Sequence, residues 1–63
     1  MDKLTELNTL NNFFSELKSI NVRLNNLKFH EQDNEMNSHY ERVCNGVDFL
    51  IYKYEQKLEN FKL

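Results

Sequence analysis

Most of the devices that hold a very small protein together are missing from this chain. Its one cysteine, Cys44, excludes an intrachain disulfide. Cysteine and histidine nowhere gather at the four-ligand spacing of a structural zinc site. No proline interrupts the sequence, and Gly46 is the only glycine. No apolar run approaches the ~20 residues that cross a bilayer, so no membrane partner is expected. Tryptophan and alanine are absent as well, while asparagine, lysine, leucine and phenylalanine abound. Alanine is the best helix former and asparagine a poor one, so isolated helices of this sequence would be weak. The same usage fits an AT-rich genome such as that of a phage, a plasmid or another mobile element.

What is present defines a single small helical domain. A chain of 63 residues makes one domain at most, and one that short buries a smaller share of its surface than a larger protein does. With disulfide and metal excluded, packing and association are left to stabilise it. Apolar residues at 40% and charged ones at 29% place the chain with folded soluble domains rather than disordered ones. The start, Met1-Asp2-Lys3-Leu4-Thr5-Glu6, lacks the basic-then-apolar order of a secretory signal, and the expected location is the cytoplasm. A net charge of −2 argues against DNA as a partner, since a nonspecific DNA binder carries a basic patch that displaces counterions from phosphates.

Apolar spacing gives the architecture. Leu10, Phe13, Phe14, Leu17, Ile20, Leu24 and Leu27 recur at threes and fours and form one stripe about 120° wide at ~100° per residue. Met36, Tyr40, Val43, Cys44, Val47, Leu50, Ile51, Tyr54, Leu58 and Phe61 form a second stripe of the same kind. Continuing the first helix unbroken would put the second stripe roughly 120° round from the first. A turn lets the stripes face each other. The spacing therefore predicts an all-α, two-helix antiparallel hairpin over residues 1–63: helix 1 at about 3–28, a turn at about 29–34 and helix 2 at about 35–61. Asp2 or Thr5 is expected to cap helix 1, and Asp33 or Asn34 helix 2. Because no glycine follows helix 1, Asn34 is the nearest residue able to take a left-handed terminating conformation. Stripes this broad want more than one neighbour, so a second hairpin is expected to complete a four-helix bundle by homodimerisation. Asn21, on the margin between Leu17 and Leu24, either fixes register or reaches water.

Residues with chemical potential are few. His30 and His39 stand near Glu31, Asp33, Glu35 and Cys44, but only Glu35 and His39 share a helix face, and two ligands do not make a structural site. Cys44, on the stripe beside Val47 and Ile51, reads as a small core hydrophobe. No nucleophile is matched to a base, and no glycine-rich loop can cradle a phosphate. The expectation is a protein that is not an enzyme, with no cofactor and no metal. Phe49 and Tyr52 instead stand out, because they point roughly opposite Val47. Large aromatics on the outer face of an acidic helix suit protein recognition, with Asn45 and Gln56 as a polar rim and with Leu4 and Val22 as outlying apolar residues on helix 1. The expected role is that of a small regulator or adaptor that occludes or scaffolds a larger protein.

Leu24-Asn25-Asn26-Leu27 followed by Glu31-Gln32 resembles the pre-turn segment of the Rop-type plasmid RNA-binding proteins, which are dimers of helical hairpins. The resemblance covers about nine residues. It implies a dimer and, as a second reading, contact with structured RNA through helix 1 and the charges of Lys18, Arg23 and Lys28. The corresponding surface around Asn8, Asn12, Glu16 and Arg23 carries an acid and no aromatic. Small helical co-chaperones of bacterial secretion systems are similar in general shape, which leaves a helical subunit of a larger assembly as a third reading.

Overall fold

A short polar side chain begins each helix. In the computed structural model, which describes residues 2–61, the Asp2 carboxylate accepts the Thr5 amide at 2.7 Å and opens α1, Lys3–His30. That bond holds the Asp2 carboxyl below its ordinary value of 3.8. The cap is thus fully formed above the ordinary carboxylate range and fades as pH falls through the lowered value. Asp33 does the same for α2, Asn34–Asn60, accepting the amides of Glu35 at 2.9 Å and Met36 at 3.3 Å. Among the described residues there is no strand, and no helix is long and apolar enough to cross a membrane.

The reversal between the helices is tighter than the spacing implies. Phe29 and His30 complete α1 and Asn34 begins α2, which leaves Glu31, Gln32 and Asp33 as the whole connection. No described residue has a positive φ. Glu31 leaves the helix with extended backbone, at φ −78° and ψ 122°, so the left-handed terminator expected at Asn34 is not used. The work of a glycine cap is done by side chains. Asn37, on the first turn of α2, donates its amide across the turn to the Lys28 carbonyl at 2.8 Å. The Glu31 amide reaches the same oxygen at 3.2 Å. The Glu31 carboxylate in turn accepts the Asp33 amide at 3.1 Å. Carbonyls at a helix end otherwise lack partners, and here one of them is tied to the opposite helix.

From this turn α1 and α2 run back along each other as a hairpin with extents of 47 × 16 × 14 Å. Phe13 meets Tyr54 edge to face, with ring centroids 6.1 Å apart, which sets the level of one helix against the other. Leu10, Leu17 and Leu24 of α1 and Val47, Ile51 and Leu58 of α2 lie half-buried in the seam. Cys44, at 5% exposure, is the one buried residue among those described. Asn21 is half-buried too, but its backbone and side-chain oxygens accept Asn25 of the same helix at 2.8 and 2.9 Å. Among the described residues its side chain makes no hydrogen bond to α2.

Replacing Asn37 by alanine removes one of the two donors to the Lys28 carbonyl and should cost about 0.5–1.5 kcal/mol. Asp33→Ala should cost about 1 kcal/mol. Urea unfolding followed by circular dichroism measures both, and an Asn37→Ala midpoint equal to the parent's would show that the cross-turn bond contributes nothing.

Candidate functional site

With Cys44, Val47 and Ile51 turned toward α1, helical periodicity turns Phe49 and Tyr52 away from it. They remain 58% and 54% exposed. Each ring has a neighbour one turn along the same helix: the Lys53 ammonium lies 5.3 Å from the Phe49 ring centroid, and Gln56 donates to the Tyr52 hydroxyl at 3.0 Å. Asn45, one turn before Phe49, is exposed. These five residues form a continuous outward surface on α2, with two aromatic rings held by i,i+4 contacts and polar groups along the edge.

Leu4 and Val22 do not join that surface. Both are well exposed, at 67% and 69%, but they belong to α1 and lie nine residues to either side of Phe13. With Phe13 level with Tyr54, Leu4 and Val22 are offset from Tyr52's level by roughly 16.5 Å and roughly 10.5 Å along the axis at 1.5 Å per residue. Val22 lines a shallow groove of about 410 Å³ with Phe14 and Lys18, and there the Lys18 ammonium sits 4.8 Å from the Phe14 ring centroid. Lys18, Arg23 and Lys28 succeed one another by five residues, so each points about 140° round from the last. They form no single cationic face.

The larger apolar surface lies elsewhere. Phe13, Ile20 and Leu27 follow one another at seven-residue spacing on α1, and Met36, Val43 and Leu50 do so on α2. All six keep between 42% and 51% of their surface exposed. Phe13, Ile20 and Leu50 share one groove of about 320 Å³ with Leu17, Tyr54 and Glu16, which puts the two rows on the same face of the hairpin. The spacing assigns these residues to the core, whereas one partner helix covers only the inner part of each stripe. Leu10, Leu17 and Leu24 share that seven-residue interval, so the signal that could have separated the outer row was its place at the edge of the stripe. Phe29 also lay outside the expected site. At the end of α1 it is 83% exposed, and its ring stands edge-on to that of His30 at 5.2 Å.

Among the described residues, no three His, Cys, Asp or Glu side chains gather closely enough to hold a metal ion. Cys44 is a free, buried thiol. No protein-family model, no curated protein and no solved structure matches the chain.

A buried thiol reacts only when the fold opens. Cys44 should therefore react with a chromogenic disulfide reagent at least about ten-fold more slowly in buffer than in denaturing urea. Equal rates would place Cys44 outside the core.

Proposed function

We propose that this chain is a non-enzymatic, protein-binding helical module. Two copies complete each other's core as a four-helix bundle, and the outward Phe49–Tyr52 surface holds a larger target protein. The observation that carries the reading is the imbalance between core and surface. Cys44 is the one buried residue among those described, while eleven large hydrophobic residues are exposed. Scattered exposed apolar residues are ordinary, but here they outweigh the interior, and they fall on two different sides of the hairpin.

Phe49 and Tyr52 suit target recognition for a further reason. Aromatic rings already held in place lose less freedom on binding than mobile side chains do. The contacts with Lys53 and Gln56 provide that restraint, and Asn45 supplies a polar edge. The role is occlusion or scaffolding of the target, as a regulator or adaptor would act, within the cytoplasm.

The double variant Phe49→Ser/Tyr52→Ser tests the assignment. Tagged parent and variant chains are compared for specific capture from an extract of the source cell, with helicity recorded in parallel. The variant should keep the parent's helicity and lose at least about 100-fold in affinity for whatever the parent captures, as expected on removing two aromatic anchors. Undiminished capture would reject the surface, and a loss of helicity would make the two rings part of the fold.

A further inference from the structure

We infer that the second copy docks on the face formed by Phe13, Ile20 and Leu27 with Met36, Val43 and Leu50. This rests on the dimer reading above and assigns the surface that serves it. The first argument is area. The chain exposes 5308 Å², whereas a compact monomer of its 7.7 kDa exposes about 4,300 Å². The excess, on the order of 1,000 Å² per chain, gives two chains an interface at the upper end of the standard size for specific association. Half the surface of six large side chains supplies about 500 Å² of that on each copy, all of it apolar.

The second argument is the shape of the face. In the register set by Phe13 and Tyr54, Leu50 lies level with Leu17 and Val43 with Leu24, so the α2 row is staggered by about 6 Å from the α1 row at 1.5 Å per residue. Because the helices run antiparallel and both rows have the same seven-residue interval, an approximate two-fold axis normal to the face exchanges the two rows, with large side chains about 10.5 Å apart along each helix. A seven-residue apolar row is the pattern that interdigitates with a facing helix, and a symmetric face presents matching rows to its own copy. Glu6 and Lys57 occupy the next positions of the two rows, so the apolar strip ends there.

Gly46 is the third argument. A glycine within a helix is unfavourable, and nothing inside the hairpin calls for one: its φ is not positive, and a Cβ would meet nothing within 4 Å. It lies three residues after Val43 and four before Leu50, beside the strip. The missing side chain there lets another backbone come close.

Light scattering and circular dichroism on the full chain across a concentration series test the assignment. The parent should have the mass of two chains and a melting temperature that rises with concentration. Ile20→Glu/Val43→Glu should weaken association at least about 100-fold, because docking would bury unpaired carboxylates. Gly46→Glu should also yield single chains, although in a lone hairpin its side chain extends into open space and favours the helix. Phe49→Ser/Tyr52→Ser should keep the parent's mass. If Ile20→Glu/Val43→Glu loses its helicity outright, Gly46→Glu decides alone. A dimeric parent whose strip variants stay dimeric would overturn the assigned face and leave the dimer standing. A fully helical parent of single-chain mass at every concentration would overturn both.

Discussion

A helix with one neighbour hides only the side turned toward that neighbour, and the rest of this structure follows from that limit. Each apolar stripe is about 120° wide, more than a single facing helix can cover. The inner rows meet in the seam, where Cys44 is enclosed and the leucines, valine and isoleucine around it are half-covered. The outer rows, from Phe13 to Leu27 and from Met36 to Leu50, stay half in water. Packing of this extent is a poor source of stability for a chain that has no disulfide to add, and its asparagine-rich helices bring little propensity of their own. What the hairpin lacks is a further apolar surface.

The turn shows how the sequence manages a sharp reversal without the usual residue. A helix commonly ends on glycine because that residue can turn left-handed. Here Glu31 simply extends, and the carbonyl of Lys28 is taken up by Asn37 from the other helix. One side chain thereby ties the end of α1 to the first turn of α2. Asp33 joins in by capping α2 while its own amide is held by Glu31. The acidic run from Glu31 to Glu35, which by charge alone suggests steering of a basic partner, has at least this structural use.

The fold was legible because it depends on periodicity, and periodicity is local. Stripes at threes and fours give two helices, and their phase difference demands a break between them. The caps were legible as pairs, Asp2 or Thr5 and Asp33 or Asn34, of which the structure uses Asp2 and Asp33, since a cap and the amide it serves are two or three residues apart. The closure of the turn by Asn37 was not. It joins residues nine apart in the chain through an asparagine that, on sequence, is one of many. The candidate surface was readable in part. Phe49, Tyr52, Asn45 and Gln56 share one helix and stay together, whereas Leu4 and Val22 lie on the other helix, and their levels depended on the interhelical register.

Helical phase explains why the apolar residues sort into two surfaces of different kinds. Phe13, Ile20 and Leu27 with Met36, Val43 and Leu50 form one strip along the hairpin, and they continue the core outward. Phe49 and Tyr52 form a small cluster, with an ammonium and an amide already on the rings. A long apolar strip suits permanent burial, where its whole length is covered at once and little polar surface is lost with it. A compact aromatic cluster with polar edges suits contact that is made and broken, because the rings can act as anchors while the polar groups beside them remain at a solvated rim. The two surfaces differ in composition as a permanent interface differs from a transient one. On that physical ground the strip suits the self-assembly proposed for it, and the cluster suits the proposed contact with a target.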